Sequence, residues 1–133
     1  MPALTNLVLK DRATTPVDHT FTPSELKDGV GVVAESNGQK VGDSKYSISS
    51  RKSATGRYNA KVKLEVPVVE IQTINGVAKP VITRTAYATL EFSYSAESTR
   101  AERNNLVGML QDSLASSKTL VDKTIVDLEG VWG

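Results

Sequence analysis

Cysteine is absent from the 133 residues, which excludes a disulfide framework and any thiolate metal site. Histidine occurs once, at His19. Charge of one sign is also lacking, since 16 basic residues stand against 15 acidic ones for a formal net charge of +1. Long hydrophobic runs are missing: no window approaches the roughly 18 apolar residues that a membrane-spanning helix needs. The opening MPALTNLVLKDRATT has no apolar run of about 7–15 residues behind a basic start, so neither a signal peptide nor a membrane span is expected. No Walker-type GK[ST] is present, and the carboxylates fall singly, with no pair at metal-ligand or acid/base spacing. No metal and no cofactor is therefore expected.

What is there is 39% hydrophobic residues, enough for a real core in one small domain over residues 1–133. The stretch RYNAKVKLEVP, Arg57 to Pro67, carries the strongest pattern. With a period of two it sets Arg57, Asn59, Lys61, Lys63 and Glu65 against Tyr58, Ala60, Val62, Leu64 and Val66, one polar face and one apolar face of a strand. In KYSISSRK before it, Lys45, Ser47, Ser49 and Arg51 share one parity, with Tyr46 and Ile48 on the other. In TRTAYATLEFSYS after it, Thr83, Thr85, Tyr87, Thr89 and Glu91 alternate with Ala86, Ala88, Leu90 and Phe92. Paired in one sheet, these strands would build a continuous face of basic, hydroxyl and amide side chains around one ring. From Ser44 to Leu64 there are six basic residues and no acidic one, so the positive charge is local. Several cations in register suit a phosphate backbone, and hydroxyls, amides and a stacking ring suit bases. The blander reading is a solvated sheet face, since exposed faces of antiparallel sheets are routinely polar.

Taken in order, TNLVLK predicts a short strand, Asp11 to Pro16 a turn, and Val17 to Phe21 the second arm of an opening hairpin. Pro23 and Asp28-Gly29 punctuate a connection, GVGVVAES predicts the next strand, and Asn37-Gly38 signals a hairpin turn. SKYSISSRKS follows as a strand, and Ala54-Thr55-Gly56 turns the chain into the Arg57 strand. Pro67 lacks a donor, so the ladder is expected to break or bulge there. Val68 to Thr73 stays β-rich, Ile74-Asn75-Gly76-Val77 is a turn, Lys79-Pro80 closes that loop, and Val81 to Ser95 is the last strand.

The period then changes to 3.6. Thr99 with Glu102 three residues on offers an N-cap, and Leu106, Met109, Leu110 and Leu114 mark one helical face. Ser116 and Ser117 are expected to break that helix and cap a second, striped by Leu120, Val121, Ile125 and Leu128 and stopped at Gly130. The expected class is α+β, an antiparallel sheet of about six to seven strands (an N-terminal hairpin plus a five-stranded sheet, about residues 4–95) followed by two C-terminal helices (about 98–129). Two such helices cover only part of so wide a sheet, so a homodimer is inferred, with helices of one chain on the sheet of the other. The alternative is a monomer whose helices fold back on their own sheet. Trp132 is read as packing in an interface.

Enzyme readings fail in context. His19 sits between Asp18 and Thr20 in a predicted edge hairpin, and no serine or carboxylate near it in sequence forms a catalytic spacing. The string from Gly29 to Ala34 matches a dinucleotide fingerprint on paper, but ELKD precedes it where a strand is required, and a strand follows where a helix is required.

Together, NLVLKDR, the basic KYSISSRK and RYNAKVKLEVP strands, QTINGVAKP, TRTAYATLEF and the two terminal helices resemble, in order and over essentially the whole chain, the coat protein of the single-stranded RNA bacteriophages, the leviviruses. The most specific segments are KLEVP, the NGV loop ending at Pro80, and the AYA strand.

That resemblance implies an intertwined homodimer with one continuous sheet, many such dimers closing into an icosahedral shell. It implies that the inward face binds a hairpin of the viral genomic RNA, repressing replicase translation and marking the genome for packaging. The phage maturation protein is a further expected partner, no membrane is involved, and the place is the virion, assembled in the bacterial host cytoplasm. The RNA-binding residues it implies are Ser47, Ser49, Arg57, Asn59, Lys61, Lys63, Tyr87, Thr89 and Glu91, with Tyr87 stacking on a loop base and Lys61 and Lys63 at adenine pockets and phosphates. It implies a shell-contact loop of Gln72, Thr73, Ile74, Asn75, Gly76, Val77, Ala78, Lys79 and Pro80. Thr89 stands where some relatives carry an amide, and Lys61 where others carry a threonine, which bears on the preferred hairpin sequence. The alternative function is a stand-alone dimeric RNA-binding regulator that forms no shell.

Overall fold

The computed structural model describes residues 2–36 and 42–133. Six strands come first, β1 (Leu7–Lys10), β2 (Asp18–Lys27), β3 (Val30–Glu35), β4 (Ser44–Lys52), β5 (Tyr58–Ile74) and β6 (Val77–Tyr94). Two helices follow, α1 (Arg100–Ser113) and α2 (Thr119–Ile125). The strands form one sheet in sequence order, β1 to β6, so each strand pairs with its chain neighbours as an antiparallel meander. The expected class, antiparallel sheet then C-terminal helices, is what the chain adopts. The chain divides into two compact units, one ending at Ser93 and one running from Tyr94 to Gly133.

Several boundaries differ from the sequence expectation, each for a local reason. β2 continues through Pro23 to Lys27, absorbing the proline with a register irregularity between Pro23 and Glu25. The connection to β3 is then only Asp28 and Gly29, both at positive φ (53° and 78°), the conformation a two-residue hairpin of matching twist requires. β5 does not break at Pro67 but runs 17 residues to Ile74. Its pairing with β4 ends at Lys45 opposite Glu65, so no residue of β4 pairs with Pro67, whose missing donor costs that ladder nothing. Asn75 and Gly76, at φ 52° and 78°, make the turn alone, so the expected loop from Gln72 to Pro80 is the tip of a long hairpin, with Gln72–Ile74 in β5 and Val77–Pro80 in β6. The expected Asn37-Gly38 turn lies outside the described residues.

The two sheet faces separate as the alternation demands. Tyr46 pairs with Leu64 and Ile48 with Val62, and Gly31 and Val33 stand opposite Ile48 and Tyr46. A Cβ on Gly31 would come within 2.9 Å of Leu4 Cδ1 and 3.9 Å of Ile48 Cγ2, so the glycine makes room for Leu4 against the apolar face. Burial there raises the pKa of the Tyr46 hydroxyl. Yet among the described residues only Phe21 and Val33 are buried hydrophobics, 4% and 3% exposed, while Ile48 is 47% exposed.

In the second unit, Thr99 caps α1 as its hydroxyl accepts the Glu102 N–H at 3.2 Å. α2 is shorter than expected, and its N-cap is Lys118, which makes no side-chain cap hydrogen bond, in place of Ser116 and Ser117. It ends at Ile125, before Gly130, and Leu128 takes the left-handed conformation at φ 60°. Neither helix has a buried residue; Leu106, Met109, Leu114, Leu120 and Ile125 are all exposed, and Trp132 is 93% exposed.

Candidate nucleic-acid interface

The register of the middle strands decides which polar side chains share a face. Ser49 stands opposite Lys61, Ser47 opposite Lys63 and Arg51 opposite Asn59 across β4 and β5. On the other side of β4, Ser49 faces Val30 and Ser47 faces Val32. A turn closed by the Ser53 N–H on the Arg57 carbonyl (2.7 Å) and the Gly56 N–H on the Ser53 carbonyl (3.0 Å) sets this register.

β6 completes the face. Lys61 Nζ lies 3.5 Å from Glu91 Oε1, and the Lys63 ammonium stands 5.5 Å from the Tyr87 ring centroid. Arg57 Nε donates to Ser93 Oγ at 2.9 Å. Tyr87, Glu91 and Ser93 therefore lie on the face of Arg57, Lys61 and Lys63, and Thr89 joins them by alternation. All nine residues expected from the sequence (Ser47, Ser49, Arg57, Asn59, Lys61, Lys63, Tyr87, Thr89, Glu91) fall on one surface within the first compact unit.

A cavity of about 750 Å³ opens on this surface, lined by Ser49, Asn59, Lys61 and Glu91 together with Arg51, Lys52 and Ser53. Arg51 and Lys52 are not among the expected site residues, although the basic run that contains them pointed their way. Arg51 is held in place by donating to the Asp28 carbonyl, and Lys52 rests over the Tyr58 ring at 5.5 Å. A wall of cations and hydroxyls around an open cavity with a 64% exposed ring nearby offers phosphate contacts, base-edge donors and acceptors, and a stacking platform together.

The tip of the β5–β6 hairpin is chemically different. Ile71, Ile74 and Val77 are exposed there, and Arg84 meets Glu70 at 3.4 Å further down the arm.

Comparison with known proteins gives a consistent result. A family model described as levivirus coat protein matches residues 2–132. The capsid protein of Pseudomonas phage PRR1 is 54% identical over 129 residues, 97% of this chain and 98% of that one. The capsid protein of Escherichia phage MS2 is 31% identical over 110 residues, 83% of each. Among solved structures, the virus-like particle of bacteriophage ESE058 superposes with a TM-score of 0.85 at 22% identity, over 98% of this chain and 100% of that one. The capsid protein of bacteriophage GA superposes with 0.83 at 23% identity, over 98% of both.

Proposed function

Since the chain belongs to the levivirus coat protein family and is by that membership a capsid protein of an RNA phage, we propose that its dimers close into an icosahedral shell around the genomic RNA and that the polar sheet face binds an RNA stem-loop. Binding there represses replicase translation and promotes packaging. The observation that carries the RNA reading is the convergence of Lys61, Lys63, Asn59 and Tyr87 on one face beside a cavity of about 750 Å³. The lysines and arginines neutralise phosphates, which supplies affinity with little sequence preference. Tyr87 stacks on an unpaired loop base, and Asn59, Glu91 and the serine hydroxyls address base edges.

Self-association follows from what the single chain leaves uncovered. Two buried hydrophobics among the described residues are a small core for a chain of this length, and each exposed Leu, Ile, Val or Met side chain buried in an interface contributes roughly 1.5–3 kcal/mol. A second copy, its helices laid on the apolar sheet face, supplies that burial. The hairpin tip from Gln72 to Pro80 serves contacts between dimers. The phage maturation protein is a further partner, and assembly takes place in the host cytoplasm.

Sedimentation of the purified recombinant protein, recorded at 260 and 280 nm, tests the proposal. A fast, homogeneous boundary with a strong nucleic-acid signal is expected. A slow, dimer-sized boundary that persists after RNA is added would overturn the shell and leave a stand-alone RNA-binding regulator.

A further inference from the structure

His19 lies between two carboxylates that come from different elements. Its Nε2 is 2.7 Å from Asp11 Oδ2, and its Nδ1 is 2.9 Å from Glu35. Asp11 sits just past the end of β1, His19 near the start of β2 and Glu35 at the end of β3. Asp11 also organises the β1–β2 connection, because its Oδ1 accepts the N–H groups of Ala13 (3.1 Å) and Val17 (3.0 Å). The cluster joins three strands and the loop between the first two.

The chemistry of the ring makes this arrangement proton-dependent. A neutral imidazole has one N–H and one lone pair, whereas an imidazolium has two N–H groups. Carboxylates are acceptors only when ionised, so both contacts can be hydrogen bonds only when the ring carries both protons. On deprotonation one nitrogen lone pair confronts a carboxylate oxygen, and that contact opens. We infer that Asp11, His19 and Glu35 form a proton-operated latch, closed when His19 is charged, that ties the opening hairpin to β3.

The latch sits where it matters for the small core. Phe21 is two residues from His19 on the same face of β2, and Val33 is two residues from Glu35 on the same face of β3. They are the two buried hydrophobics among the described residues, so opening the latch loosens the strands that carry them. The other charged groups nearby are the Lys10–Asp18 pair at the neighbouring register position (3.8 Å), Arg12 next to Asp11, and Asp43 next to the Ser44 that pairs with Glu35. The Asp11 hydrogen bond, then that of Glu35, raises the His19 pKa above its ordinary value against the smaller opposing effect of desolvation.

The sign follows from that direction. A pKa raised in the closed state means that, while both carboxylates are ionised, the latch is fully closed below the ordinary histidine value of about 6.5 and opens as the pH rises through the raised value. For each pH unit by which the closed-state pKa exceeds that of the open state, the open hairpin gains about tenfold in population between the two limits.

Two measurements on the intact full-length protein test the latch. Because His19 is the single histidine, the slow exchange of its imidazole carbon-bound hydrogen, followed by mass spectrometry across pH, reports its pKa whatever the state of assembly. A midpoint above 6.5 is expected, moving down in Asp11→Asn and in Glu35→Gln. Amide exchange of peptides covering β1, corrected for the intrinsic pH dependence, should accelerate several-fold through the same midpoint in the wild type and show no such step in His19→Gln. A wild-type midpoint at or below 6.5 overturns the latch, as does β1 protection that ignores the His19 transition.

Discussion

The Lys63 ammonium stands over the Tyr87 ring, 5.5 Å from its centroid, joining a charge on β5 to the ring on β6. At an exposed site such a cation–π contact contributes about 0.5–1 kcal/mol. That is enough to bias the two side chains towards each other in the free protein, and little enough to be exchanged for a phosphate and a base. Lys63 thus fits the proposed RNA face as a mobile charge. Replacing Lys63 by alanine is expected to weaken stem-loop binding by roughly 1–3 kcal/mol, the scale of a charge-assisted hydrogen bond. It should also reduce the slope of log affinity against log salt by about one phosphate contact. Filter binding at several salt concentrations measures both. Unchanged affinity and slope would remove Lys63 from the site.

Glu91 calls for the opposite expectation. Its carboxylate lies 3.5 Å from Lys61 Nζ with both side chains more than half exposed, so the pair adds little to folding stability. On a face proposed to meet phosphates, a carboxylate would repel any RNA that does not offer it a donor. Glu91→Gln should therefore tighten binding of unrelated RNA more than of the preferred hairpin and narrow the ratio between them. A competition assay reads that ratio, and a ratio that widens or stays put would deny Glu91 a part in discrimination.

The alternation from Lys45 to Leu64 made the polar and apolar faces legible before any coordinates, because a period of two is a direct consequence of strand geometry. Turn chemistry made Asn75-Gly76 legible for the same kind of reason. Pro67 misled about where the strand ends, since β5 runs on to Ile74 although its β4 ladder stops at Glu65, and Pro23 misled because β2 absorbs it with a register shift and continues. Ser117 misled because the N-cap of α2 is Lys118, which makes no side-chain cap hydrogen bond. The Asp11–His19–Glu35 cluster was illegible: the partners are 8 and 16 residues from His19, and nothing short of the hairpin register brings them together. Arg51 and Lys52 fall between these cases, visible as charge yet assignable to the cavity only once the β4–β5 turn is known.

The hairpin tip offers a test that separates assembly from RNA binding. Ile71, Ile74 and Val77 are exposed near the Asn75-Gly76 turn, away from Lys61 and Lys63 along the same strand. Removing residues 73–78 and rejoining the arms with a two-residue Asn-Gly turn is expected to leave dimers that bind RNA with unchanged affinity but form no normal particles. Electron microscopy together with hairpin binding decides the matter, and unaltered particles would deny the tip its role in the shell.

Acid should expose the other side of the Asp11 cluster. The His19 hydrogen bond, then the Val17 and Ala13 N–H groups, hold the Asp11 carboxyl at a pKa of about 2, below its ordinary 3.8. A depressed pKa means that the folded protein favours the carboxylate, so this contribution is fully present above the unfolded value. It is lost as the pH falls from about 4 through about 2. Asp11→Asn, which cannot ionise, should therefore unfold more easily than the wild type at pH 5–6, and the two should converge as the pH is lowered to 2. The convergence is read between about pH 4 and 2, well below the ordinary histidine value of about 6.5, so it reports the Asp11 carboxylate and not the ring. Denaturation midpoints measured at steps of half a pH unit would reveal the convergence; a gap that stays constant down to pH 2 would mean that the Asp11 charge contributes nothing to the fold.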